Sequence, residues 1–520
     1  MDIATKAQVG FTPTVVDNDL ETGEIIDNQD TGNDLQRGLK SRQVDMFAIA
    51  CAIGTGLIIG SGSGLARGGP GSLLVAYIAI GIVVYFVMTA MGEMAAFLPM
   101  KKGFAGYATR FADPALGFAT GWNYFFKYVI VLPNNLTAAG IIIQYWRPDL
   151  NVAIWVTIFG VCIVALNVFH VRWFGEAEFW FSIVKVLVLA ALLLVCLVIT
   201  LGGAPKHDRI GFRYWREPGA FAEYLVEGPT GKFLGFWACI VQACFAYTGT
   251  EVVGAAFGEA PNPAKTVPRA VRQTLFRILT FYMFAVFLLG MCVPYNDPML
   301  IGATKAKTSA AASPFVIAIK LAEINVMPDI INALLLFFVL SAANSDVYVA
   351  SRTLFGLSKD GQAPRIFSRT TSTGVPLYGV ILSSLFILLG YLNVSKSSST
   401  VFGYFVSLVT VFGTLNWVSI LCSYLCMRHG MKCQGISRTE MPYTDILQPY
   451  GAWFALVMTV LVIVFNGYPA FIPHFDLTKF ITSYIGIVVY IFNYVLWKVL
   501  KGTARVKSSN MDLTTHRRLE

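Results

Sequence analysis

The sequence predicts an all-α membrane protein with about twelve transmembrane helices, and three observations support this fold class. Of the 520 residues, 56% are hydrophobic and only 13% are charged, whereas soluble domains carry roughly 25% charged residues. The mean hydropathy is strongly positive, at +0.62. Long apolar segments recur along the chain, and most approach the length of about 20 residues that a helix needs to cross the hydrocarbon core.

The apolar segments define the domain organisation, and we number them 1 to 12. They lie at 45–66, 72–98, 115–142, 152–170, 176–201, 233–257, 275–294, 328–356, 376–394, 401–427, 450–470 and 480–499. Together they predict one twelve-helix membrane domain over residues 45–500. The polar residues 1–44 predict a disordered N-terminal tail, and residues 501–520 a C-terminal tail.

Charge and cysteine usage narrow the class of protein. Lys and Arg concentrate in the loops and tails on one side of the predicted membrane, which places both termini in the cytoplasm. The net charge of +9 is spread over short loops, so it does not form the basic patch of a nucleic-acid-binding protein. The nine cysteines contain no CxxC pair and predict neither a metal site nor a disulfide framework.

Two segments are interrupted by glycines at matching positions. Segment 1 contains Gly54-Thr55-Gly56 and segment 6 contains Thr248-Gly249-Thr250, and each glycine costs a helix roughly 1 kcal/mol relative to alanine. The five-segment spacing predicts two inverted repeats of five helices, about 45–201 and 233–427, with broken helices 1 and 6 and two extra helices at 450–499. Such matched breaks indicate a transporter's binding site. The alternative is that the glycines only allow close helix packing.

Several motifs resemble those of fungal amino-acid permeases in the amino acid–polyamine–organocation superfamily. The stretch Ile53 to Ser63, with its Gly54-Thr55-Gly56 core, is similar to the first-helix motif of that family. Three further stretches, 92–95, 257–270 and 341–346, are similar to its other motifs. The resemblance covers roughly residues 37–500 and implies proton-driven uptake of amino acids at the plasma membrane, without a cofactor.

Within that family, the chain resembles the acidic (dicarboxylic) amino-acid permeases most. The supporting stretches are 127–137, with Asn135 where permeases for cationic substrates carry a glutamate, and 203–215. The resemblance therefore implies import of glutamate and aspartate. One alternative is a broad or neutral amino-acid permease. Another is an amino-acid sensor with little transport, although the short predicted tails favour transport. Trafficking and ubiquitination machinery are the expected partners of those tails.

No enzyme is indicated, because no catalytic constellation occurs and the five histidines fall in or next to loops. The chain also has no GxxxxGK[ST] phosphate loop, which argues against transport driven by ATP.

An amino-acid substrate needs one site for a carboxylate and one for an ammonium group. Amide groups freed at the start of the outer half of helix 1 suit the anion, because they lie at the positive end of the helix dipole; these are at Gly54, Thr55, Gly56 and Leu57. Freed carbonyls suit the ammonium; these are at Cys51, Ala52, Tyr247, Thr248, Gly249 and Thr250.

Two lysines fall well inside predicted spans, where a charge costs at least 2.5–3.5 kcal/mol. Lys185 in segment 5 is predicted to gain and lose the coupling proton, and the superfamily has a fifth-helix lysine that resembles it; the alternative is a lysine that extends to the membrane surface. Lys127 in segment 3 either binds a substrate carboxylate or forms a structural pair with Glu251, Glu93 or Asp346. Asn135, two turns further along the same segment, is also predicted to bind the substrate.

The remaining charged residues have predicted gating or relay roles. Glu251, just past the break in segment 6, is either a proton relay or gate or a buried, paired carboxylate. Glu93 and Asp346, towards the inner ends of segments 2 and 8, are interpreted as inner-gate pairs or solvated charges. Arg67 in the outer half of segment 1 either steers anions inward or is an exposed arginine at a helix end.

Overall fold

The computed structural model describes residues 54–100, 103–168, 171–252, 263–305, 313–394 and 397–515. Several predicted features lie wholly or partly outside these ranges. They are the N-terminal tail at 1–44, the inner part of segment 1 with Cys51 and Ala52, the first residue of the motif at 53–63, the last two residues of segment 4, the end of segment 6, and the beginning of the motif at 257–270. The final residues, 516–520, also lie outside them.

Within the described ranges, the regular secondary structure is helical, and we number the helices α1 to α14. They are α1 (Gly56–Phe97), α2 (Gly103–Phe111), α3 (Pro114–Ile143), α4 (Val152–Val168), α5 (Val171–Leu201), α6 (Gly228–Tyr247), α7 (Pro263–Arg277, continuing through Ile278–Met283 to Phe284–Cys292), α8 (Pro298–Lys305), α9 (Pro314–Leu321), α10 (Met327–Lys359), α11 (Leu377–Leu385, continuing as Phe386–Val394), α12 (Ser398–Cys433), α13 (Tyr450–Phe465) and α14 (Leu477–Lys501).

Nine helices in the described part of the chain are long and apolar enough to cross a membrane. They are α1, α3, α5, α7 and α10 to α14. Helix α4 is apolar but shorter, with 17 residues, and α6 ends at Tyr247. Each of the predicted segments falls at least partly on one of these helices. The multi-span helical class is therefore present, while the number twelve, the inverted repeats and the second halves of the broken helices remain predictions.

Segments 1 and 2 share α1, which changes conformation at Gly69. Gly69 has non-helical angles (φ 78°, ψ 173°) and is followed by Pro70, which has no amide hydrogen to donate. A Cβ atom on Gly69 would lie 2.8 Å from the Ala220 carbonyl oxygen. Glycine is required here because the backbone angle is left-handed and a neighbouring chain segment approaches closely.

The helix packing separates an interior set from a surface set. Helix α6 packs extensively against α1, and α3 packs against α10 and α12. Helices α13 and α14 instead expose apolar side chains; these include Trp453, Val457, Val464, Val488, Ile491, Phe492, Val495 and Val499. An exposed apolar face of this extent is typical of helices that contact lipid.

Glu93 connects the C-terminal end of α1 to the loop between α12 and α13. Its carboxylate is fully buried and accepts hydrogen bonds from Tyr424 Oη at 2.7 Å, from Arg438 at 2.8 Å and from the Asp445 amide at 2.8 Å. The interpretation of Glu93 as a solvated charge is wrong, because residues 434–449 fold over this end of the helix.

The chain after α14 folds back onto the same end of the bundle, and Met511 and Leu513 are buried there. Arg110 donates to the backbone carbonyls of Asp512 at 2.8 Å and Thr515 at 2.7 Å. Burial of Asp512 alone would raise its pKa. The hydrogen bonds from the Thr515 and Thr514 amides and the nearby charge of Arg110 outweigh this effect, and the pKa is lowered to about 2.

The Glu93 contacts generate a prediction about stability. Breaking a buried ion pair by removing one partner typically costs 3–5 kcal/mol, and Arg438 is partly exposed, so we expect Glu93→Ala to destabilise the protein by about 3 kcal/mol. The melting temperature of the purified protein measures this. Glu323→Ala is the control, because Glu323 forms only an exposed pair with Lys206 at 2.8 Å. Equal, small shifts in both variants would contradict the role assigned to Glu93.

Candidate functional site

A polar cavity lies where α1 begins and α6 ends, against α3 and α10. Its volume is about 50 Å³, on a measure by which one water molecule needs about 10–15 Å³. It is lined by Gly54, Thr55, Gly56, Lys127, Tyr128, Val131, Asn135, Phe245, Ala246, Thr248, Gly249, Ala342, Ser345 and Asp346. The cavity has room for a few water molecules.

The start of α1 supplies one wall of the cavity. Thr55 precedes the first turn, Gly56–Gly60, and its side chain does not cap that turn. A Cβ atom on Gly56 would lie 2.4 Å from the Cα atom of Ala246. Gly56 therefore lets the beginning of α1 approach the end of α6 closely, and the amide groups of the first turn lie beside the cavity without a side-chain acceptor from Thr55.

The end of α6 supplies the opposite wall. Thr248 is extended and ends the helix, and Gly249 follows with a φ of 108°, a conformation that favours glycine. The Thr248 hydroxyl donates to the Phe245 carbonyl at 2.6 Å, and the Thr250 hydroxyl donates to the Tyr247 carbonyl at 2.9 Å. Because the last carbonyls of a helix have no partner within it, a buried helix end needs such donors, and the threonines on either side of Gly249 satisfy part of that need.

Lys127 forms a buried ion pair with Glu251 across the gap between α3 and the end of α6. The other Glu251 oxygen accepts the Gly249 amide at 3.0 Å and lies 3.4 Å from Trp417 Nε1. The Lys127 ammonium also lies 4.7 Å from the centre of the Tyr128 ring. Of the three partners considered for Lys127, the structure places Glu251 against it, in the arrangement predicted for a structural pair.

A second polar chain crosses the cavity from α1 to α10. Thr55 Oγ1 donates to Asn135 Oδ1 at 2.9 Å, and Asn135 Nδ2 donates to Asp346 Oδ2 at 2.7 Å. Asp346 is only 5% exposed, so the interpretation of it as a solvated charge is wrong. Asp346 is the twentieth of the 33 residues of helix α10 (Met327–Lys359), so it lies just past the middle of the helix.

Lys185 lies on α5, outside the cavity, and is only 2% exposed. Its ammonium is 3.9 Å from Glu178 Oε1, and among the described residues it has no hydrogen-bond partner. The same Glu178 oxygen accepts the Ser341 hydroxyl at 2.8 Å. Ser341 lies one helical turn before Ser345, which lines the cavity. The burial of Lys185 excludes a lysine that reaches the membrane surface.

The sequence analysis missed Glu178, although a signal was present. Glu178 and Lys185 are separated by seven residues, which is close to two helical turns and places both on one face of α5. Tyr128 and Ser345, which also line the cavity, were missed without a comparable signal.

The other predicted residues lie near the cavity or away from it. Leu57, Tyr247 and Thr250 are buried behind its walls, and the Tyr247 hydroxyl donates to the Tyr77 carbonyl at 3.2 Å. Arg67 is half-buried on the outer part of α1, 5.5 Å from the centre of the Tyr224 ring. Glu93 is at the end of the bundle described above. No group of three potential metal ligands occurs in the described part of the chain.

Comparison with known proteins identifies the class. A family model described as amino acid permease matches residues 43–510. An uncharacterized amino-acid permease of Schizosaccharomyces pombe is 56% identical over 506 residues, 95% of this chain and 97% of that protein. A dicarboxylic amino acid permease of Saccharomyces cerevisiae is 46% identical over 523 residues, 100% and 85% of the two chains. A proline-specific permease of Emericella nidulans is 40% identical over 521 residues, 98% and 94%.

The described residues form a multi-span helical bundle with a cavity between two helix ends, and the relatives of the chain are permeases. The chain belongs to the amino acid permease family, whose members are permeases and not enzymes. The resemblance inferred from the motifs is thereby confirmed, including the similarity to a dicarboxylic amino acid permease.

The Lys127–Glu251 pair generates a prediction about coupling. Lys127→Met alone leaves a buried carboxylate without its cation, and we expect a loss of about 3 kcal/mol of stability. Adding Glu251→Gln removes the unpaired charge and should recover at least half of that loss. Melting temperatures of the two single variants and the double variant measure the coupling. Strictly additive losses would show that the two side chains do not depend on each other.

Proposed function

We propose that this protein is a proton-coupled secondary transporter that imports amino acids, with a preference for glutamate and aspartate. The observation that carries the proposal is the meeting of a helix start and a helix end at one polar cavity. A helix start attracts an anion and a helix end attracts a cation. The two ends at this cavity therefore match the two charges that every amino acid substrate carries.

In this proposal, the substrate carboxylate binds the amide groups at the start of α1, around Gly54, Thr55 and Gly56. The substrate ammonium binds carbonyls at the end of α6, between Tyr247 and Thr250. The uncapped first turn of α1 supports the first contact. The second is supported by the position of Thr248 and Gly249 in the cavity wall, just past the last turn of α6, where backbone carbonyls lack intrahelical partners.

A cavity of about 50 Å³ is smaller than an amino acid, so substrate binding requires the walls to separate. Transporters of this general type expose a central site alternately to the two sides of the membrane by moving one group of helices against another. The contact of Gly56 with Ala246 lies at the seam that would have to open. The described conformation then corresponds to a closed stage of the cycle.

The preference for acidic substrates depends on Lys127. The ammonium of Lys127 lines the cavity, and it is the nearest cation to which a second substrate carboxylate could bind. The similarity to a dicarboxylic amino acid permease also supports this substrate class. Glu251 already neutralises Lys127, so an acidic substrate would have to share or displace that partner.

A second candidate is a permease for neutral amino acids, and the same ion pair favours it. If Glu251 keeps Lys127 paired throughout transport, the cation has a structural role and no excess charge remains for the substrate. The similarity to a proline-specific permease gives this candidate weight. Substrate competition separates the two candidates.

For proton coupling, we propose that Lys185 carries the proton and that Glu178 is its buried partner. A buried lysine with one carboxylate 3.9 Å away is a group whose charge state depends on its surroundings. Ser341 and Ser345 on α10 connect this pair to the cavity wall. Glu251 and Asp346 are further carboxylates that could exchange protons within the site.

The proposed location is the plasma membrane, with both termini in the cytoplasm. The concentration of Lys and Arg at the end of the bundle that carries Cys433 and Lys501 supports this orientation. The tails would then be accessible to trafficking and ubiquitination machinery.

Gly54→Val tests the carboxylate site. A Cβ atom on Gly54 meets no heavy atom of the described residues within 4 Å, so the variant should fold with an unchanged melting temperature. Because Gly54 lines the cavity, the valine should block substrate and abolish uptake. Gly403→Val, at another glycine with open space, is the control and should transport normally. Wild-type substrate affinity in Gly54→Val would rule out this placement of the substrate. Gly56→Ala is less informative, because it also clashes with Ala246.

Selectivity is tested by competition of labelled glutamate uptake with aspartate, proline, alanine and lysine. We expect aspartate to compete best in the wild type. The double variant Lys127→Met, Glu251→Gln carries no net change in buried charge, and it should weaken glutamate roughly tenfold or more relative to alanine. Proline outcompeting aspartate in the wild type would favour the neutral permease. An equal effect of the double variant on both substrates would assign Lys127 a structural role.

Proton coupling is tested by uptake in proteoliposomes with an imposed pH gradient. Import of the glutamate anion against a negative interior costs roughly 2.3 kcal/mol per 100 mV, so at least two protons per glutamate are needed for the potential to assist uptake. We therefore expect an inward positive current with glutamate. Lys185→Ala should abolish uptake driven by the pH gradient and retain exchange, whereas the exposed Lys479→Ala should behave as wild type. Steep accumulation in Lys185→Ala would exclude Lys185 as the coupling residue.

A further inference from the structure

A second, larger cavity lies away from the central site, at the end of the bundle where α12 ends and α13 begins. Its volume is about 470 Å³. One side is formed by the last turns of α12, including Arg428, His429 and Lys432, and the other by Pro449, Tyr450 and Trp453 at the start of α13. It takes no part in the proposed transport cycle.

The lining of this cavity carries an excess of positive charge. Arg438 is neutralised by the buried Glu93 at 2.8 Å, but the structure records no ion pair for Arg428 or Lys432 among the described residues. One Arg428 amino group lies 3.8 Å and 3.7 Å from the sulfur atoms of Met431 and Met441, which are weak acceptors. Its buried Nε atom has no hydrogen-bond partner in that part of the chain.

An arginine in this position has unused donors that suit a phosphate group. A guanidinium presents a planar set of donors that matches phosphate oxygens, and in Arg428 part of that set is unsatisfied. Lys432 lies one helical turn further on and is exposed, so it can contact the same anion. No carboxylate is among the residues that line the cavity. The cavity is therefore built for an anion and not for a zwitterion.

The side chains around the cavity favour a lipid over a soluble anion as its occupant. Trp453 is 56% exposed and Tyr450 is 82% exposed, as expected of aromatic residues at a membrane surface. From Trp453, the exposed apolar side chains continue along α13 through Phe454 and Val457. Helix α13 is one of the helices long and apolar enough to cross the membrane. An occupant with a charged head and apolar chains matches both parts of this surface.

We propose that this cavity binds the phosphate-bearing headgroup of an anionic phospholipid, with the acyl chains lying along the exposed face of α13. Arg428 and Lys432 bind the phosphate, and Trp453 lies at the junction between the headgroup and the chains. The bound lipid would connect the end of α12 to the beginning of α13, next to the Glu93 contacts that hold the intervening loop.

The test is native mass spectrometry of the purified full-length protein titrated with phosphatidylserine, phosphatidylinositol or phosphatidylcholine in mixed micelles. We expect the two anionic lipids to be retained in preference to phosphatidylcholine. Each basic residue near a charged lipid surface strengthens binding roughly fivefold. The double variant Arg428→Gln, Lys432→Gln loses two such residues and should therefore weaken anionic-lipid binding roughly thirtyfold. Lys501→Gln is the control, because Lys501 is exposed at the same end of the bundle but outside the cavity.

A single variant and soluble competitors provide two further tests. Lys432→Gln alone changes an exposed side chain, should fold normally, and should weaken anionic-lipid binding roughly fivefold. Unchanged lipid retention in both variants would overturn the proposal. A competition experiment adds the soluble compounds inorganic phosphate or glycerol 3-phosphate to the protein with bound lipid. If either displaces the bound anionic lipid at equal concentration, the cavity is a site for free phosphate compounds and the lipid assignment fails.

Discussion

Two helix ends lie inside the protein, and this constraint determines the chemistry around them. Where no bulk water is available, every backbone polar group needs a partner within the protein or on a ligand. At the end of α6, Thr248, Thr250 and Glu251 satisfy part of the exposed backbone. At the start of α1, the Thr55 side chain binds Asn135 and leaves the first turn uncapped. We propose that the amide groups of this turn bind the substrate carboxylate.

The ion pair of Lys127 with Glu251 links the stability of this junction to its selectivity. Glu251 accepts hydrogen bonds from both Lys127 and the Gly249 amide, so its carboxylate holds α3 to the backbone just beyond α6. A second carboxylate on the substrate would compete for the same cation. Because a buried charge is costly without a partner, any such competition has to leave Glu251 protonated or bound elsewhere. A proton taken up by Glu251 would be additional to the one that we propose Lys185 carries.

The sequence predicted the parts of this site that have a local signal. The glycine interruptions at Gly54 to Gly56 and at Gly249 can be recognised from the sequence alone. In the structure both lie against one cavity. The partner of Lys127 could not be selected from Glu251, Glu93 and Asp346, because the position of a residue along a helix indicates its depth but not which helix lies opposite. The hydrogen bond between Asn135 and Asp346 could not be predicted for the same reason, because the two residues lie on different helices.

In the proposed site, two different helix ends recognise the α-carboxylate and the α-ammonium of one substrate. Equilibrium binding to the purified protein can be measured for glutamate, for glutarate, which lacks the α-ammonium, and for 4-aminobutyrate, which lacks the α-carboxylate. We expect measurable binding of glutamate and a loss of at least about tenfold for each analogue, since each leaves one helix end without its partner. Binding of either analogue as tightly as glutamate would contradict it.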